Sequence, residues 1–228
     1  MFCLACLPVL AQPALKAELS TDKLVMTDDI DVAKAQVEAY PDDPEAHFLL
    51  AMAYSRTPFI EEAFKSMKRA KGLMKTSPQG YANLDAKLAE YEDMLRYSPD
   101  DTMVLYRLAF GYFSKGYGIE KNYIKNNPDA PAIWYDKAEE TMRRVIALDP
   151  ADAWARNYLG FLLININEDA NLDEAMMLWE EAVAIEPLNP GAHLMLGEAY
   201  MKKGDLKKAL QHSSAAIEGR LLAPLKPL

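Results

Sequence analysis

The chain has 228 residues, half of them hydrophobic, with a net charge of −9 and a pI near 4.9. That length suits one elongated domain or two small ones. The acidic balance, with no dense Lys/Arg run to offset it, argues against nucleic acid and anionic membrane surfaces as partners of the whole chain.

The first eleven residues, MFCLACLPVLA, are apolar, and Val9-Leu10-Ala11 before Gln12 has the form of a signal-peptidase site. No Lys or Arg precedes it and the run is short, so it reads as the tail of an export signal. The alternative is an apolar helix packed on the first hairpin. Export to a periplasmic or extracellular space is therefore expected, with a cytoplasmic location as the rival. The run is too short to span a membrane. Cys3-Leu4-Ala5-Cys6 faintly resembles a lipoprotein box but lacks the leucine three before Cys6, and no cysteine follows. The body of the chain thus has no disulfide and no thiol chemistry.

Residues 12–29 are polar. Apolar periodicity and proline stops then predict helices near 30–40, 45–56, 59–75, 80–97, 101–115, 131–148, 152–166, 171–185, 190–203 and 205–218. The helix at 80–97 has no obvious partner half. Between the helices near 101–115 and 131–148 lies an insert, 117–134, rich in Tyr, Asn and Pro. After Glu218 the tail 221–228 reads LLAPLKPL, where Pro224 and Pro227 favour extended backbone; Leu221 and Leu222 are expected to dock on the end of the last hairpin.

Within residues 152–218 one pattern occurs twice. Leu159-Gly160 matches Leu196-Gly197, Ala175 matches Ala209, and Ala182 matches Ala216, the alanine pairs each 34 residues apart. Glycine inside a helix costs about 1 kcal/mol against alanine, so Gly160 and Gly197 imply a close helix–helix approach. A third copy has Ala51 in the glycine's place, with Ala63 and Ala70. A fourth has Leu108-Ala109, Tyr112, Ala138 and Val145. A helix–turn–helix period of 34 with Leu-Gly, Tyr and Ala at fixed offsets resembles the tetratricopeptide repeat. The resemblance implies an all-α, right-handed superhelix of antiparallel hairpins. Its array runs over 30–220, with copies near 44–75, 102–150, 152–187 and 190–218 and an irregular N-terminal part.

Nothing in the sequence supplies a nucleophile, base or metal cage. The turn from Asn165 to Asp173 alternates oxygen side chains as a calcium loop does, but Ala170 and Met176 replace its glycine and bidentate glutamate. It reads as a capping turn, with Asn171 as the cap. His47 and His193 share one repeat offset and read as interhelical packing. The pairs Glu61-Glu62, Glu139-Glu140 and Glu180-Glu181 point about 100° apart on their helices and form a solvated face. No cofactor, no metal and no enzymatic activity are expected.

By the same resemblance, the first helix of each copy lines a concave groove. It offers Phe48, Met52, Ser55 and Arg56, then Tyr106, Phe110 and Phe113. Trp154, Asn157, Phe161 and Asn165 follow, then Leu194, Glu198, Met201 and Lys202. Aromatic and methionine side chains suit an apolar peptide strand or amphipathic helix. The reading is a non-enzymatic scaffold that binds a protein or peptide partner. Its rivals are a self-associating homo-oligomeric module and an accessory subunit of an envelope assembly or export complex.

Overall fold

The computed structural model describes residues 23–55, 59–76, 84–125 and 127–222, without the side chains of 23–29, 52, 55, 60 and 220–222. The export-signal run 1–11, Arg56, the turn at 77–80 and the tail beyond residue 222 lie outside the described residues. The same holds for the side chains of Met52, Ser55, Leu221 and Leu222. Among the described residues there are nine helices and no strand: α1 (Lys23–Ala39), α2 (Pro44–Ser55), α3 (Ile60–Thr76), α4 (Leu84–Tyr97), α5 (Thr102–Glu120), α6 (Pro131–Leu148), α7 (Ala153–Ile185), α8 (Pro190–Lys202) and α9 (Leu206–Leu222). The all-α, tetratricopeptide-like fold class is the one the repeat offsets imply. α1 begins at Lys23 rather than near residue 30, so the polar segment 12–29 gives its last residues to a helix.

Four helices start by one device. Each follows Pro-x-Asp or Pro-x-Asn: Pro41 to Asp43, Pro99 to Asp101, Pro150 to Asp152, Pro187 to Asn189. The proline ends the preceding helix, and the acid or amide two residues on caps the next. Asp43 accepts from the Glu45 amide at 3.0 Å, Asp101 from those of Met103 and Val104 at 3.0 and 3.1 Å, Asp152 from Ala155 at 2.9 Å, and Asn189 from Ala192 at 2.9 Å. These bonds satisfy amides that the first turn leaves unpaired. In α2 and α8 a histidine adds a staple. His47 Nε2 stands 2.8 Å from the Pro41 carbonyl and His193 Nε2 stands 2.9 Å from that of Pro187. The shared offset therefore closes the entry turn, which corrects the expectation of interhelical packing; only His193 also reaches another helix, touching His212 on α9.

The hairpins pack α2 on α3, α5 on α6, the two limbs of α7 on each other, and α8 on α9. Ala70, Ala138, Ala175 and Ala182 are fully buried, and Ala209 nearly so. At Gly197 an added Cβ would lie 3.5 Å from the Ala209 carbonyl and 2.9 Å from Ser213 Oγ. At Gly160 the vacant side is filled by the Trp179 indole, whose Nε1 would stand 2.5 Å from an added Cβ. α7 is continuous except at Asn167, whose φ of −157° and ψ of 98° divide it into two limbs. Asn167 Oδ1 accepts from the Ala170 amide at 3.2 Å, and Asn171 Nδ2 donates back to the Leu163 carbonyl at 3.0 Å. The cap is thus Asn167, not Asn171, and the three extra residues of this copy add a turn of helix.

α4 is the irregular element. Its Leu88 fills the space beside Gly111 of α5, and its Tyr91 donates to Glu45 of α2 at 2.6 Å. The insert continues α5 with its first four residues, 117–120, as far as Glu120, beyond the predicted end at 115. It then returns on itself: Tyr117 stacks on Phe113, Tyr123 packs on Tyr117, and the Tyr135 hydroxyl donates to Glu120 at 2.7 Å.

Candidate functional site

A cleft of about 630 Å³, counting its open mouth, lies between the first copy and the last two. Its walls are Ala51 of α2, Ala63, Phe64 and Met67 of α3, Trp154, Asn157, Tyr158 and Phe161 of α7, and Gly191, Leu194 and Met195 of α8. Phe64 meets Phe161 across it in a T-shaped pair, ring centroids 6.4 Å apart.

Under the cleft lies an aromatic bed. Phe48 sits edge-on to Phe110 at 3.9 Å, and Tyr158 packs on Phe110 and Tyr106, each at 6.1 Å. Tyr106 also donates to the capping Asp152 at 2.9 Å. Burial pushes the Tyr158 phenol well above its ordinary range, so it is a neutral hydroxyl at physiological pH. The other polar group is the Asn157 carboxamide. Its Oδ1 is buried without a hydrogen-bond partner among the described residues, while the Asn157 backbone carbonyl accepts from Trp179 Nε1 at 3.1 Å. Buried polar atoms in native folds are normally paired, so this oxygen is an acceptor in need of a donor.

The structure divides the predicted lining residues. Trp154, Asn157, Phe161 and Leu194 stand together in the cleft. Phe48, Tyr106, Phe110 and Phe113 are buried core instead. α3, a second helix, closes over α7 and α8 and covers Phe48, Tyr106 and Phe110, while Phe113 is buried against Tyr117 and Tyr135. Glu198, Met201 and Lys202 lie on the exposed surface outside the cleft, and Lys202 is paired with Glu168. Asn165 donates to the Phe161 carbonyl of its own helix at 2.7 Å. The expectation missed Phe64 and Met67 because it drew only on first helices. One signal existed: α3 carries Phe59, Ala63, Phe64, Met67, Ala70 and Met74 at its N-terminus and along its length, more than one buried face requires.

Among the described residues no group of three or more His, Cys, Asp or Glu side chains gathers as a metal cage, and no helix is long and apolar enough to cross a membrane. The cleft can offer apolar contact and aromatic faces.

A family model for the tetratricopeptide repeat matches residues 168–217, which hold the second limb of α7, α8 and most of α9. The comparison with curated proteins returned no match. Similar solved structures include a crystal structure of MamA, 21% identical over 84% of this chain and 86% of that one, with a TM-score of 0.40. They also include a structure of YrrB, described as a TPR protein with an unusual peptide-binding site. It is 18% identical over 85% of this chain and 94% of that one, with a TM-score of 0.42.

Proposed function

We propose that this tetratricopeptide-repeat chain is a non-enzymatic interaction scaffold that takes an apolar peptide segment of a protein partner into the α3–α7–α8 cleft. One observation carries the reading: the buried, unpaired Asn157 Oδ1 in a cleft otherwise walled by Phe64, Met67, Trp154, Phe161 and Leu194. A segment that lays an apolar side chain between Phe64 and Phe161 brings a backbone N–H to the cleft wall, where a turn of the Asn157 carboxamide lets Oδ1 accept from it. The donor then relieves an unsatisfied acceptor, which is worth more than an ordinary exposed bond. Apolar burial supplies affinity, and the carboxamide supplies register.

The test is binding to an array of neutral, Leu-, Met- and Phe-containing peptides by the wild type and by Phe64→Asp. Phe64 is 43% exposed, so the change does not disturb the core. A charge on the cleft wall should weaken every cleft-dependent peptide about tenfold or more, near 1.4 kcal/mol. Equal binding by both proteins would sink the reading. We also place the scaffold outside the cytoplasm, on the apolar run 1–11 and the Val9-Leu10-Ala11 sequence. A phosphatase fusion that is active only after export should be active when joined after Lys203, and an inactive, stably expressed fusion would refute the placement.

A further inference from the structure

We propose that the free face of α9 is a self-association surface on which a second copy of this chain docks its own α9 in the antiparallel sense. The cleft has no part in this contact. α9 buries Ala209 against α8, and beside that contact it carries Leu206, Leu210 and Ile217, which are 69%, 70% and 62% exposed. At 100° per residue these three lie within about 40° of one another, so they form a single row along the helix. Next to the row the helix is polar, with Lys207, Gln211, Ser214 and Glu218 exposed.

Two features of the row select the occupant. The first is its spacing. Leu206, Leu210, Ile217 and the helical position Leu221 are separated by four, seven and four residues, with Ser213 and Ser214 at the centre. The row therefore reads the same in both directions. Antiparallel pairing about a two-fold axis at the serines sets Leu210 on Ile217 of the second copy and Leu206 at the level of its position 221. Ser214 is small and exposed and lets the helices approach, while Ser213 turns toward Gly197 of α8. The second feature is charge. Lys207 and Glu218 are exposed on one flank of the row, and neither has an ion-pair partner among the described residues. In a two-fold antiparallel pair the same flanks of both helices face each other, so each Lys207 stands beside the other copy's Glu218. A parallel two-fold pair would set this flank against the opposite flank of the second helix and leave Lys207 and Glu218 apart. The contact is small, under about 1,200 Å² in total, so the association is weak and depends on concentration.

The experiment is sedimentation equilibrium of the full chain from about 1 μM to about 1 mM. A monomer–dimer equilibrium is expected. Leu210→Glu should raise the dissociation constant about tenfold or more, with helicity and melting temperature unchanged because the side chain is exposed. Lys207→Glu and Glu218→Lys should each weaken the homodimer. Mixed together, these two variants should form a heterodimer tighter than either homodimer, since positions 207 and 218 then pair opposite charges in both of their contacts. A chain that stays monomeric throughout overturns the proposal, as it would if residues 223–228 covered the row instead. A dimer indifferent to Leu210→Glu, or a mixture no tighter than its components, overturns it equally.

Discussion

Gly160 and Gly197 occupy the same repeat offset but face different neighbours, and the difference sets what a methyl costs at each. At Gly160 the obstacle is the Trp179 ring, 1% exposed and pinned by its bond to the Asn157 carbonyl. At Gly197 the nearest atom is a serine hydroxyl that can rotate away. Gly160→Ala should therefore cost about 2 kcal/mol and Gly197→Ala clearly less, which thermal denaturation of the two variants resolves. The histidine pair makes a second prediction at this scale. A carbonyl only accepts, so His193 Nε2 carries its hydrogen toward Pro187, and His193 Nδ1 accepts at 2.9 Å from His212 Nδ1–H. Tyr200 stacks on His212 at 5.4 Å, with Lys208 over its ring and Glu180 accepting its hydroxyl proton. Burial first, then His193 and Lys208, hold His212 below its ordinary pKa. A folded-state pKa below the unfolded value means the unfolded chain binds the proton first. The stability is thus complete above about pH 6.5 and drains as pH falls through and below it. The melting temperature of the wild type should drop more between about pH 7 and pH 5 than that of His212→Gln; parallel curves would exclude this role for the pair.

Helix boundaries were legible wherever side chains set them. Pro41, Pro99, Pro150 and Pro187 marked four stops, and the acid or amide two residues later was in plain view as a start, though only the stop was read. The cap contributes according to its burial. Asn189 is 1% exposed and bonds both the Ala192 amide and Glu186, whereas Asp43 is exposed. Asn189→Ala should cost about 2 kcal/mol and Asp43→Ala about 0.5, the two ends of the range for helix caps, as denaturant midpoints would show. The α5 end and the α7 break were not legible. Helix propensity is a weak signal, and Tyr117 continues α5 because Phe113 and the returning Tyr123 pack on it. At the break, Asn165, Asn167 and Asn171 competed for the cap, and choosing Asn167 over Asn171 depended on the Leu163 carbonyl, a contact across eight residues.

The array itself was legible because small residues at a fixed period leave few packings open. The path of the first copy was not, since nothing local records that α3 closes over α7 and α8. That closure separates two layers of aromatics, one buried and one open, and the layers should respond differently. Phe110→Ala removes a ring packed on Phe48 and Tyr158 and should cost about 3–5 kcal/mol. Phe64→Ala, on the cleft wall, should leave the melting temperature within a degree or two of wild type, since exposed positions contribute little. If both variants melted alike, the cleft would be collapsed in solution. α4 belongs to the same scale: burial pushes the Glu45 carboxyl up, and the Tyr91 hydroxyl is what holds it in place.

The three tryptophans sit in three kinds of surroundings, which gives the molecule an optical readout of its own. Trp179 is sealed and hydrogen-bonded, so its emission is blue and constant. Trp134 lies between the ammonium groups of Lys115 and Lys137, at 3.8 and 4.6 Å from its ring, whatever the cleft holds. Trp154 alone borders the cleft. An apolar guest that expels water there should shift the emission of Trp154 to shorter wavelength, and Trp154→Phe should leave the spectrum blind to the guest.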